Sequence, residues 1–67
     1  MIRIVVNGET REVPENLTVS ALLDFLGLAA QPLLVEQNGL ALFKTEWPEK
    51  TVQPHDRFEL IRIVAGG

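Results

Sequence analysis

The sequence predicts an α+β domain in which a mixed sheet of about five strands carries one main helix across one face. Three observations support that expectation. Two Asn-Gly pairs, Asn7-Gly8 and Asn38-Gly39, each follow a short apolar-rich segment. One stripe of apolar residues at helical spacing lies between these two regions, and the chain closes on an alternating, β-branched run.

The elements follow in order. Ile2, Ile4 and Val6 alternate with Arg3 and Val5 and lead into Asn7-Gly8, the pair that a type I′ hairpin turn prefers because both central residues need φ > 0. Strands are therefore expected over Ile2–Val6 and Glu9–Val13. Pro14 and Asn16 break the second strand, and Thr18 stands where a helix N-cap is wanted. Val19, Leu22, Leu23 and Leu26 then fall at i, i+3, i+4 and i+7, with Leu22 and Leu26 expected to make the main contact with the sheet. Leu17 is placed to staple onto Leu22. Gly27 fits the left-handed position after the helix, and Leu28 can fold back on Leu23.

After Pro32, Leu33–Gln37 and residues 40–43 flank the second Asn-Gly pair and predict another hairpin. Residues 45–50 follow neither period and read as a loop with a short helical turn. The turn at Gln53-Pro54-His55-Asp56 opens a last strand over 58–64, with Phe58 and Leu60 on one face and Glu59, Ile61 and Ile63 on the other. The organisation is one domain over residues 1–64 followed by a short Ala65-Gly66-Gly67 tail.

Length and composition narrow the function. A domain of 67 residues buries only about 60% of its unfolded surface, which leaves a marginal core and little room for a catalytic pocket. The chain has no cysteine, so disulfides and thiolate metal sites are excluded and any sulfur chemistry needs an external donor. A reducing, cytoplasmic setting suits that composition. The start passes at once into strand-like alternation, and no apolar run approaches the roughly 20 residues that span a bilayer. Nine acidic against six basic residues give a net charge of −3, the wrong sign for binding a phosphate backbone. No nucleic acid and no membrane are expected among the partners, and the free domain is expected to be a monomer.

The ending Ile63-Val64-Ala65-Gly66-Gly67 is the strongest functional signal. Strand pattern runs almost to the last residue, and two glycines without Cβ atoms can lie extended in a channel too narrow for side chains. From Ala65 to Gly67 the tail can reach roughly 10 Å. That makes the carboxylate of Gly67 the prime candidate for chemistry. The bland alternative is a frayed end, since glycine is common at disordered termini.

The order of two hairpins, one helix and a final strand, with the diglycine after it, resembles a β-grasp domain of the ubiquitin kind. More closely, the chain resembles the ThiS/MoaD family of ubiquitin-like sulfur carriers, and within it the ThiS carriers of thiamine biosynthesis. The resemblance rests on Val35-Glu36-Gln37-Asn38-Gly39, on Glu46-Trp47, on Asp56-Arg57 opening an apolar strand, and on Ala65-Gly66-Gly67. Two positions depart from the family pattern: Lys44 stands where Arg is usual before the tryptophan, and His55 where Gly usually precedes Asp56. A glycine there would permit φ > 0, which His tolerates less well.

The resemblance implies that Gly67 is adenylated by a ThiF-like adenylating enzyme using ATP and Mg²⁺, then converted to a thiocarboxylate by a persulfide-bearing sulfur donor. A thiazole synthase would take that sulfur for the thiazole of thiamine. The chain would be a protein cosubstrate rather than an enzyme, and would bind no cofactor itself. A carboxylate ionised at neutral pH, with an α-carboxyl pKa of about 3.3–3.7, is a poor electrophile and needs such activation. Two other functions compete: the small subunit of molybdopterin synthase, which uses the same tail, and a non-catalytic β-grasp binding module, in which the diglycine is incidental.

Other residues have plainer explanations. A lone His55 between Pro54 and Asp56 reads as a solvated turn residue, and Trp47 as a cover over the end of the core. Glu9 and Glu12 fall on opposite strand faces, and Glu36, Glu46 and Glu49 lack the spacing of a metal site. Ile61 and Ile63 differ, because one helix covers only one face of the sheet. With Leu34 they are expected to form an exposed apolar patch beside the tail, of the kind that binds a partner. The opposing view is that single exposed apolar residues are ordinary.

Overall fold

Both Asn-Gly pairs turn the chain as their chemistry requires. Asn7 and Gly8 have φ of 50° and 81°, and Asn38 and Gly39 have 53° and 84°, the left-handed pairs of a type I′ turn that matches strand twist. The first turn joins β1 (Ile2–Val6) to β2 (Glu9–Val13), and the second joins β3 (Leu33–Gln37) to β4 (Leu40–Leu42). A computed structural model describes residues 1–64 of the chain. In it β5 (Arg57–Arg62) completes a five-stranded sheet of order β2-β1-β5-β3-β4. The central strand runs parallel to β1, with Val6 beside Phe58, and antiparallel to β3, with Val35 beside Leu60.

Helix α1 (Val19–Phe25) begins as expected, with the Thr18 hydroxyl accepting from Ala21 N–H at 3.1 Å. The other early N–H groups of a helix need partners too. Val19 N–H donates to the Lys50 carbonyl at 2.8 Å and Ser20 N–H to the Trp47 carbonyl at 3.1 Å. The irregular 45–50 segment is thus held beneath the helix start, and a 3-10 turn over Lys44–Glu46 leads into it. The helix stops on Gly27, φ 75°. Gly27 N–H donates to Asp24 O and Leu28 N–H to Leu23 O, the paired bonds of a Schellman ending.

The core lies between this helix and one face of the sheet. Ile4, Val13, Val19, Leu22, Val35 and Phe58 are fully or almost fully buried. Leu26 is a correction: it is the C-cap residue and only half-buried, so Val19, Leu22 and Leu23 make the main contact instead. Two strand limits also shift. β4 ends at Leu42 because Phe43 caps the 3-10 turn, accepting nothing through its side chain but donating its N–H to the Glu46 carboxylate at 2.8 Å. β5 starts one residue early and ends at Arg62, although Ile63 N–H still donates to the Pro32 carbonyl at 2.9 Å. No helix among the described residues is long and apolar enough to cross a membrane.

Candidate functional site

The strand that leads towards the diglycine is the middle strand of the sheet. Its alternation sets its two faces: Phe58 and Leu60 are buried under the helix, whereas Glu59 and Ile61 point away from it. Ile61 stands directly opposite Leu34 on β3. The three residues expected to form a patch are all exposed large apolar groups, Leu34 at 39%, Ile61 at 48% and Ile63 at 53%. Val64 and Phe43 are more exposed still and were not anticipated. Phe43 follows Leu42, the partner of Val35 and the last residue of β4. Strand alternation carried one residue past β4 was the available signal for it. Along the same face Glu36 lies opposite Glu59, a like-charge pair that costs stability and gives the edge of the patch an acidic character. Ala65, Gly66 and Gly67 lie outside the described residues.

The start of β5 is fixed by a polar hub. Asp56 is 7% exposed, and its carboxylate accepts from Gln37 Nε2 at 2.9 Å, Asn38 Nδ2 at 3.0 Å and Gln53 N–H at 2.8 Å. Burial pushes the pKa of this carboxyl up, but the bonds from Asn38, Gln53 and Gln37 outweigh burial and hold it below the usual carboxylate value. Asn38 also accepts from Arg57 N–H at 2.9 Å. Two of the segments on which the family resemblance rests, Gln37-Asn38 and Asp56-Arg57, therefore meet in one network. Sequence reading placed Gln37 at a strand end, Asn38 and Asp56 in turns and Arg57 at a strand start, without bringing them together. His55, just before the hub, keeps a left-handed φ of 69° and donates its N–H to the Arg3 carbonyl at 2.7 Å.

Trp47 is 7% exposed and packs in the core, as expected, with no protein partner for its Nε1–H among the described residues. Glu9 and Glu12 do fall on opposite faces, and Glu12 is an exposed partner of Arg3 at 3.6 Å, an interaction worth little in water. No group of three or more potential metal ligands comes together among the described residues. An open groove lined by Ile2, Asn16, Val52 and Pro54 lies beside the start of β1, at the end of the sheet away from Val64, and takes no part in this site.

The comparisons with known proteins agree with this architecture. A family model described as the ThiS family matches residues 4–67. The chain belongs to the ThiS family. The crystal structure of a thiamine biosynthesis protein, ThiS, from Geobacter metallireducens superposes with a TM-score of 0.86 at 33% identity, covering 98% of this chain and all of that one. A solution NMR structure of a thiamine biosynthesis protein from the same organism gives a TM-score of 0.79 at 32% identity over 98% of this chain and 88% of that one. The fold is accordingly the β-grasp of ThiS proteins. A thiazole synthase from Paramagnetospirillum magneticum is 32% identical over 66 residues. That match takes in 98% of this chain but 20% of the synthase, so the chain spans about a fifth of the length of the curated relative it matches.

Proposed function

We propose that this ThiS-family chain is a sulfur carrier of thiamine biosynthesis, with the carboxylate of Gly67 as the group that is modified. The observation that carries the proposal is the family match, which runs from residue 4 through Gly67 and so includes the diglycine. The likeness to thiamine biosynthesis proteins and to a segment of a thiazole synthase points to the same pathway. Placing β5 in the middle of the sheet, hydrogen-bonded on both sides, gives the tail a rigid base.

The chemistry belongs to the partners. In a ThiF-like adenylating enzyme, an oxygen of the Gly67 carboxylate attacks the α-phosphorus of Mg²⁺-bound ATP; pyrophosphate leaves and an acyl-adenylate forms. The outer sulfur of a donor persulfide then attacks the carbonyl and AMP leaves. A thiol cleaves the resulting acyl disulfide, giving the thiocarboxylate and a new disulfide. A thiazole synthase takes the sulfur and the carboxylate returns. In this scheme the chain is a cosubstrate without catalytic residues, binds no cofactor, and works in the cytoplasm as a monomer between partners. Leu34, Ile61 and Ile63 form the surface that the adenylating enzyme covers while Ala65 and Gly66 thread its channel.

The test is incubation with the adenylating enzyme, ATP and a persulfide donor, followed by mass analysis of the C-terminal peptide. One oxygen should be exchanged for sulfur on the peptide that ends at Gly67. Removing Gly67 should abolish the exchange and leave the domain folded. Sulfur transfer to the truncated chain would rule the proposal out.

A further inference from the structure

We infer that Asn7 is a positioning residue for sulfur-carrier chemistry, holding the exit half of β5 through a side-chain amide that replaces the missing next residue of β1. The inference rests on the proposed carrier function and adds to it the residue that sets where the chain leaves the sheet. The parallel ladder between β1 and β5 is short, pairing Val5 with Arg57 and Val6 with Phe58. Its backbone bonds run from Val5 N–H to the Asp56 carbonyl and from Asn7 N–H to the Phe58 carbonyl, both 2.9 Å. At that point β1 turns away into Gly8, and the edge of β5 would be left without a neighbour two residues later.

The Asn7 side chain fills that step. Its Oδ1 accepts from Leu60 N–H at 2.8 Å, and its Nδ2 donates to the Leu60 carbonyl at 3.3 Å. A carboxamide carries the same donor and acceptor as a peptide group, so the ladder continues through a side chain where the backbone cannot follow. Leu60 is 8% exposed, and an unmade bond at a buried backbone group is costly. The left-handed backbone of Asn7, φ 50°, combines both duties: it makes the turn and aims the amide at β5. Asparagine adopts that conformation more readily than other residues with a side chain. On the other edge, β3 holds β5 through Leu33 opposite Arg62. With both edges held, the strand leaves the sheet in a fixed direction, and the partner need not order it on binding.

Two variants separate positioning from plain stability. Asn7→Gly keeps the positive φ and removes the amide; Asn7→Asp keeps the acceptor of the shorter bond. Hydrogen exchange at the Leu60 amide should accelerate about tenfold or more in Asn7→Gly, as expected for losing one buried hydrogen bond. The Ile61 amide, on the β3 side of the strand, should change far less. In adenylation assays the KM for the Asn7→Gly carrier should rise about five- to tenfold with kcat within twofold, and Asn7→Asp should restore most of the loss. A wild-type KM in Asn7→Gly, or Leu60 and Ile61 amides accelerating equally, would overturn the positioning role while leaving the carrier function in place. A wild-type chain that is not adenylated at all would overturn both.

Discussion

Leu34 and Ile61 face one another across the β3–β5 ladder on the side of the sheet that the helix does not cover. Their neighbours in the same register, Val35 and Leu60, face the opposite way and are buried. One ladder thus divides by strand alternation into a core face and a solvent-facing one that is apolar at Leu34 and Ile61 and acidic at Glu36 and Glu59.

Ile61→Asp should therefore leave the fold intact. An exposed strand position loses about 1 kcal/mol in β propensity at most, whereas a charge in the centre of an apolar contact should weaken binding to the adenylating enzyme by ~2 kcal/mol or more. Circular dichroism and thermal melting measure the first effect and titration calorimetry the second. Loss of cooperative folding with this substitution would show that the side chain is needed inside the protein and that the surface has been assigned to the wrong face.

The core makes a contrasting demand. Leu22 is fully buried, and Leu22→Ala should cost about 2–5 kcal/mol. Small single cores rarely supply more than about 3–5 kcal/mol in all, so much of this variant should be unfolded at 37 °C. Leu26→Ala, at the half-buried helix end, should cost clearly less. Denaturant titration of the pair would decide: equal losses would mean that the helix packs through both residues alike.

The contrast also shows what could be read from the chain and what could not. The Asn-Gly turns, the Thr18 cap and the Gly27 ending are local: each depends on residues within a few positions, and each was legible. The two faces of β5 were legible because alternation and a single helix are enough to define them. The Asp56 hub was not. It needs Gln37 and Asn38 brought beside a carboxylate 18 and more residues away, and an Asn-Gly pair is fully explained by its turn. For the same reason nothing in the sequence marked Asn7, whose amide reaches Leu60 across 53 positions. Leu26 failed for another reason: helical periodicity does not register that the helix has already ended.

Asp56 gives a prediction in acid. Its pKa is held below the ordinary value, so the folded state binds a proton less readily than the unfolded state. The stability it contributes is present above the unfolded carboxyl pKa of about 3.9 and is lost as pH falls below that towards the depressed folded value. Asp56→Ala removes the acceptor for three donors and should cost about 2–3 kcal/mol at neutral pH. The difference between wild type and variant should shrink as pH drops through this window. A difference independent of pH from 6 to about 2 would show that ionisation of this carboxyl contributes nothing.

His55 offers a gain. A residue with Cβ pays about 1–2 kcal/mol for a left-handed backbone, and the extra freedom of glycine in the unfolded chain returns about 0.5–1 kcal/mol of that. At φ 69°, His55→Gly should raise stability by about 0.5–1 kcal/mol. The hydrogen bond from its N–H to Arg3 is a backbone bond and survives the change. A melting temperature that rises by a few degrees is the expected result, and a fall would mean that the imidazole makes a contact worth more than the strain.

The last prediction concerns the pathway, because the same tail chemistry would serve a molybdopterin synthase subunit. ThiS-family membership and the likeness to thiamine biosynthesis proteins favour thiamine. A strain lacking this chain should then require thiamine or its thiazole and recover when either is supplied. The thiocarboxylated chain should in turn support thiazole formation by the synthase in a purified reaction. The molybdopterin alternative predicts loss of molybdenum-enzyme activity without a thiamine requirement, and a stable complex with a large partner subunit. A deletion strain that has no second carrier and still grows without thiamine would remove the thiamine assignment, even if Gly67 proved to be thiocarboxylated, because the carrier chemistry and its destination are separate claims.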